Sequence, residues 1–201
     1  MKKLAFVSLL IAMVATALVI NARTIVADIP APPIIGSTIN EFTLPDASGA
    51  AHTLASLKGK NGAVLIFMAV QCPVSNAYNE RMEKLAKDYA ARGINVIGIN
   101  ANSVDSAEAV KAHAAEHKFT FTILKDPGNK VADRLGASVT PEAYLIDKSN
   151  KLLYRGRIDN SKNVEGVTSS ELRDAIEATL AGKPITKTTA NAFGCSIKRV
   201  G

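Results

Sequence analysis

Two rhythms of apolar and polar positions run along this chain, and the points where they change mark its elements. Val64 to Met68 is an unbroken run of large or β-branched residues with Gly62 just before it, which predicts a strand buried on both faces. From Pro73 onward the rhythm changes. Val74, Ala77, Tyr78, Met82, Leu85 and Tyr89 recur at helical spacing, so the pattern predicts one long helix begun by a proline and closed at Arg92-Gly93. Ile94 to Asn100 predicts a second buried strand. Asp105 or Ser106 caps a helix through Ala107, Val110, Ala114 and His117. Phe119 to Leu124 is strand-like, Asp126 to Asn129 is a turn, and a short helix runs to Leu135 and Gly136. Ala143 to Asp147 and Lys151 to Gly156 flank a Lys148-Ser149-Asn150 turn as a hairpin. Ser169 or Ser170 caps a last helix through Leu172, Ile176 and Leu180, which stops at Gly182 with Pro184 beyond. Upstream, Ile39 to Leu44 alternates, Pro45 to Gly49 turns, and His52 to Leu54 returns; Ser56 to Lys60 reads as a polar turn.

Strands alternating with helices, then a hairpin and a helix, predict an α/β fold around a central mixed β-sheet flanked by helices, with an N-terminal β-hairpin extension. In such sheets chemistry collects at the carboxyl ends of strands. The domain spans residues 37–182, and residues 183–201 form a tail whose Gly and Lys/Thr content predicts a mobile segment. Residues 28–36 hold three prolines and no periodicity, as a linker does. Before them, Met1-Lys2-Lys3 and the apolar run Leu4 to Ile20 make residues 1–27 a secretory signal cut after Ala22 or Ala27, or an uncleaved membrane anchor. Both place the body outside the cytoplasm, in the periplasm or its equivalent, where thiols oxidise.

The charge of +6 is scattered over lysines with few aromatics between them, so it predicts a solvated basic surface and no nucleic-acid partner. With only two cysteines, Cys72 and Cys195, neither a disulfide scaffold nor a zinc-finger spacing is available. Cys72 falls between a strand end and Pro73. The bland reading of such a residue is a small core side chain; the strand-turn-Cys-Pro-helix plan points instead to the mouth of a site. There the free N–H groups and the dipole of the long helix favour thiolate. For a cysteine of ordinary pKa ~8.5, a shift to about 7 takes roughly 2 kcal/mol. His113, Glu116 and His117 match the inverted zinc-protease string, but without a further carboxylate ligand they read as solvated helix residues, and no metal is expected.

Four stretches together resemble a known group. They are Phe67-Met68-Ala69-Val70-Gln71-Cys72-Pro73, Asp126-Pro127, Thr140-Pro141-Glu142-Ala143-Tyr144-Leu145-Ile146-Asp147 and Tyr154-Arg155-Gly156-Arg157-Ile158-Asp159. They are similar to the thioredoxin-like redoxins, the superfamily of alkyl hydroperoxide reductases and thiol-specific antioxidants, in its peroxiredoxin-like branch. The resemblance implies a thioredoxin fold, a cis Pro141 facing Cys72, and Thr140, Pro141 and Pro73 as the wall against which substrate docks. It implies an oxidoreductase with no cofactor, acting on protein thiols, disulfides or hydroperoxides, with an external thiol reductant. It also implies antioxidant activity and a part in cell redox homeostasis.

Two departures bear on the chemistry. Ser75 stands where dithiol members carry a second cysteine; it either donates a hydrogen bond to the thiolate or serves as a helix-start hydroxyl. Met68 and Ala69 replace the proline and threonine of peroxidatic members. Cys195 resolves Cys72 through a transient disulfide, forms a permanent one, or stays free or pairs with another molecule. The expectation is thiol–disulfide exchange with Cys72 as nucleophile and Cys195 as resolver. The rivals are a thiol peroxidase and a non-catalytic monothiol binding module. Arg157 and Asp159 either shape the field near Cys72 or are surface hairpin charge.

Overall fold

The apolar run after Gly62 becomes the middle strand of the sheet, and its side chains alternate between two cores as the pleat requires. The computed structural model describes residues 32–200; the export segment predicted for residues 1–27 and the first four residues of the linker predicted for 28–36 lie outside the described residues. The strands are β1 (Thr43–Pro45), β2 (Ala51–Thr53), β3 (Gly62–Phe67), β4 (Ile94–Asn100), β5 (Ile123–Lys125), β6 (Val139–Thr140), β7 (Glu142–Asp147), β8 (Leu152–Gly156) and β9 (Cys195–Ser196). The helices are α1 (Leu54–Leu57), α2 (Pro73–Asn76), α3 (Asn79–Ala90), α4 (Ala107–Glu116), α5 (Lys130–Leu135) and α6 (Glu171–Leu180).

The central sheet runs β5-β4-β3-β7-β8 and is mixed. β4 and β5 are parallel, β3–β7 and β7–β8 antiparallel, and β3 meets β4 side by side, where the Met68 N–H donates to the Ile99 carbonyl at 2.9 Å. Ala63, Leu65 and Phe67 face one core with Tyr144, Ile146, Leu54 and the α5 residues Val131, Ala132 and Leu135. Val64, Ile66 and Met68 face the other with Ala143, Leu145, the α3 residues Met82, Leu85 and Tyr89, and the α6 residues Leu172 and Ile176. This is the α/β thioredoxin architecture, with β1–β2 as the N-terminal hairpin. No helix among the described residues is long and apolar enough to cross a membrane.

Several local expectations change. The polar turn at Ser56 is a short helix, opened by a capping box between Thr53 and Ser56. The strand expected over Phe119 to Leu124 is confined to β5. The long helix from Pro73 is two helices, α2 and α3, broken at Ala77-Tyr78. Here tertiary contacts override periodicity. The Tyr78 hydroxyl donates to Asp159 at 3.0 Å and to the Ser161 carbonyl at 2.8 Å, while Arg81 reaches back to the Ala77 carbonyl at 3.0 Å.

The tail is packed rather than free. Arg155 N–H donates to the Thr188 carbonyl and Ala190 N–H to the Arg155 carbonyl, which brings the chain beside β8. Ile197 enters the first core, and its N–H donates to the Ser138 carbonyl at 2.9 Å. Lys198 N–H donates to Asn102 Oδ1 at 2.8 Å, and Arg199 pairs with Asp133 at 2.8 Å. Such a tail carries a fixed strand edge to the site.

Candidate active site

β3 ends at Phe67, and the connection to α2 is held from several sides. Val70 N–H donates to Asp105 at 3.0 Å, and Asn76 Nδ2 donates to the Val70 carbonyl at 2.9 Å. Cys72 is therefore presented as the N-cap of α2, with Pro73 as its first residue, and Cys72 Sγ accepts the Ser75 N–H at 3.2 Å. The Thr140–Pro141 peptide is cis. It brings the Thr140 carbonyl oxygen to 3.4 Å from Cys72 Sγ, where the protonated thiol donates to it. Glu142 holds the approach to this turn, accepting from Ser138 N–H at 3.0 Å and from the Tyr144 hydroxyl at 3.0 Å.

The tail completes the arrangement. β9 pairs antiparallel with β6, and Thr140 stands opposite Cys195. The two cysteines, far apart in sequence, lie side by side as free thiols. Cys72 is only 3% exposed, so the expected open mouth is covered. Its place is still the sheet end beside the cis-proline, and what covers it is the tail rather than a core.

Burial pushes the Cys72 thiol up. The hydrogen bond from Cys195 pulls it down, as do the Thr140 hydroxyl, the Ser75 N–H and the Cys195 N–H, and the net direction is down. The Thr140 hydroxyl is buried near the sulfur but closes no hydrogen bond of ordinary geometry. Cys195 moves the opposite way, raised first by its hydrogen bond to Cys72, then by burial and by repulsion from the Cys72 charge. Cys72 is thus the sulfur disposed to ionise and Cys195 the one disposed to keep its proton. The source of this acidity differs from expectation. α2 has four residues and little macrodipole of its own, so individual donors replace the dipole of a long helix.

Ser75 is fully buried, but its hydroxyl turns away from the sulfur and accepts the Ala69 N–H at 3.2 Å; its backbone N–H serves Cys72 instead. Pro73, Thr140 and Pro141 stand beside Cys72 as the resemblance implied. Arg157 and Asp159 do not act as a field for the sulfur. Asp159 pairs with Arg81 at 2.7 Å, and Arg157 pairs with Glu171, so both fasten helices. The expectation of solvated histidines is corrected for His113, which is 6% exposed and lies 3.3 Å from Asn79 Nδ2. Its ring meets His117 edge-on at 4.4 Å and Phe119 at a tilt at 5.8 Å. The ligand atoms of His113, Glu116 and His117 lie within 4.8 Å of one another, and the two rings belong to an aromatic cluster that packing explains.

Sequence reading missed Asp105, Asn102 and Gly194. Asp105 orders the Cys72 connection, and Asn102 anchors the tail through Lys198. Gly194 was the one with a visible signal, directly before Cys195. Its φ of +156° and an imagined Cβ only 1.9 Å from the Thr140 carbonyl oxygen show that any side chain there would lift the tail from β6.

Residues 35–155 match the AhpC/TSA family. The chain is 34% identical over 143 residues to peroxiredoxin Q of Sedum lineare, covering 65% of this chain and 73% of that protein. It is 29% identical over 119 residues to the thiol-disulfide oxidoreductase ResA of Bacillus anthracis, covering 59% and 67%. The matched stretch spans from 57% to 73% of the peroxiredoxin Q relatives' own length. Among solved structures, a hypothetical protein from Sinorhizobium meliloti superposes with a TM-score of 0.79 at 32% identity, covering 85% of this chain and 97% of the other. Peroxidoxin BcpB from Mycobacterium tuberculosis superposes with a TM-score of 0.54 at 25% identity, covering 73% and 94%. The match covers more than half of the chain and contains Cys72, Pro73, Thr140 and Pro141; the chain belongs to the AhpC/TSA family of thiol-dependent oxidoreductases.

Proposed function

We propose that this chain is an exported thiol–disulfide oxidoreductase in which Cys72 is the nucleophile and Cys195 the resolving thiol. The observation that carries the reading is the β6–β9 register, which sets Cys195 opposite Thr140 and against the Cys72 sulfur. The Cys72 thiolate attacks one sulfur of a substrate disulfide, forming a mixed disulfide and expelling the other sulfur as a thiolate, which takes a proton. Cys195 then gives up its proton and attacks the Cys72 sulfur. The second substrate sulfur leaves as thiol, and a Cys72–Cys195 disulfide remains. An external dithiol reduces that disulfide and restores both thiols. Thr140, Pro141 and Pro73 wall the approach, and Ser75 supplies the N–H that holds the thiolate. The neighbouring Cys195 argues against a monothiol module that traps its partner without turnover. Export rests on the Met1-Lys2-Lys3 start and the Leu4 to Ile20 run, with the first 27 residues as signal or anchor.

The peroxiredoxin Q relatives favour a second reading, a peroxidase in which the thiolate takes one oxygen of a hydroperoxide and releases an alcohol. The resulting sulfenic acid condenses with Cys195 and releases water. Ala69 offers no hydroxyl to orient a peroxide, so disulfide exchange stands first. The test compares wild type, Cys72→Ser and Cys195→Ser in reduction of hydroxyethyl disulfide and of insulin and in hydroperoxide consumption, with peptide mapping after mild oxidation. The reading requires a Cys72–Cys195 linkage in the wild type, accumulated mixed disulfide in Cys195→Ser, and no activity in Cys72→Ser. Activity that survives Cys72→Ser sinks both readings.

A further inference from the structure

The edge of β6 lies beside the reactive sulfur and is already occupied. Among the described residues β9 is the strand paired with it, and β9 belongs to this chain. Any polypeptide whose cysteine reaches Cys72 must run past Thr140, whose carbonyl oxygen is 3.4 Å from Cys72 Sγ. The backbone groups it would pair with, by adding a strand to that edge, are taken by Cys195 and Ser196. Two glycines make this close approach possible. Gly194 lies against the Thr140 carbonyl, and Gly156 (φ +148°) lets Ala190 pass, an imagined Cβ there falling 1.9 Å from the Ala190 carbonyl oxygen. Further along, Ile197 is sunk in the core, and Lys198, Arg199 and Val200 are each bonded to the domain. Phe193 closes the near side, its ring edge-on to Tyr78 at 6.3 Å.

We propose that residues 193–197 are a specificity filter: docked on β6, they bar extended polypeptides from Cys72 and leave it to low-molecular-weight disulfides. The inference rests on the thiol–disulfide reading above. The reasoning is steric. Cys195 is partly exposed while Cys72 is covered, so a turn of one short side chain opens the sulfur to a small oxidant. A polypeptide needs the whole strand to leave, with loss of its backbone bonds and of the Ile197 anchor. The step itself is unchanged: Cys72 joins one half of the small disulfide, the other half leaves as thiol, and Cys195 resolves the adduct. The two protein thiols are oxidised and two small thiols are released.

The full-length reduced protein is mixed with hydroxyethyl disulfide in one arm and with unfolded insulin whose disulfides are intact in the other. Loss of the Cys72 thiol in the first step is followed in both. Gly194→Val keeps both cysteines but cannot seat on β6. It should raise the insulin rate relative to the small-disulfide rate by about tenfold, as loss of several competing backbone hydrogen bonds implies. Arg199→Ala, which frees only the surface anchor, should move the ratio the same way by less and stands in if Gly194→Val does not fold. Hydrogen exchange at the Ile197 and Lys198 amides reports whether the tail has lifted in each variant. A lifted tail with an unchanged ratio overturns the filter. Activity that persists in Cys72→Ser overturns the exchange reading instead, so the two failures are distinct.

Discussion

Replacing Cys195 by Ala tests what makes the Cys72 sulfur acidic. Burial raises the Cys72 thiol, and donation from the neighbouring Cys195 thiol is the first of the influences that lower it. A hydrogen bond to a charged group contributes about 1.5–3 kcal/mol. Removing this one should leave about tenfold to a hundredfold less thiolate at a given pH, at about 1.4 kcal/mol per factor of ten. One effect opposes this. Ala is smaller by a sulfur atom, so water gains some access and part of the burial penalty is relieved; the lower end of the range is therefore expected. Cys195→Ser keeps both a donor and nearly the same volume and should change little. The assay is the rate of iodoacetamide alkylation of Cys72 against pH, with thiolate ultraviolet absorbance as the independent readout. The Ala variant should react about tenfold more slowly at neutral pH, with its profile displaced to higher pH. A profile that stays put, or moves to lower pH, would show that the acidity does not come from Cys195 and would refute this account.

The Ser75→Ala variant separates two roles of one residue. It leaves the buried Ala69 N–H without its acceptor, so stability should fall by about 1–3 kcal/mol in urea unfolding, while Cys72 alkylation stays near wild type because the Ser75 N–H remains. Glu171 sets an acid limit. Its bonds to Arg157, and after them to Lys187 and Ser169, hold its carboxyl down to about 2 against the pull of burial. Folding therefore gains stability that is full above the ordinary carboxylate value near 4.5 and is lost as pH falls toward 2. That contribution is about 3 kcal/mol for a side chain only 4% exposed, so Glu171→Gln should cost roughly that at neutral pH and flatten the acid limb of the urea midpoint. In the middle strand, Leu65 is wholly buried, and Leu65→Ala should cost about 2–5 kcal/mol in the same measurement.

The central strands, α4, the hairpin of β7 and β8, and α6 were all legible in the chain, because burial on one or two faces imposes a periodicity that survives without tertiary context. Ile94 to Asn100 was bounded to the residue. The strand-Cys-Pro plan and Cys72 at a helix start were legible too, since caps and proline positions are local chemistry; the place of Thr140-Pro141 opposite Cys72 came from the family resemblance. The break between α2 and α3 was not, because Tyr78 has good helical spacing and is diverted by Asp159 and Ser161, about eighty positions away. The same holds for the tail. Composition describes residues 183–201 as loose, yet Gly194 lies against Thr140 and Ile197 fills a core position. Sequence alone determined that one sulfur sits at the start of a proline-led helix. Only the tertiary structure decided that a second sulfur covers it, because a contact between residues 72 and 195 has no local pattern and exists only once the sheet has formed an edge for β9 to join.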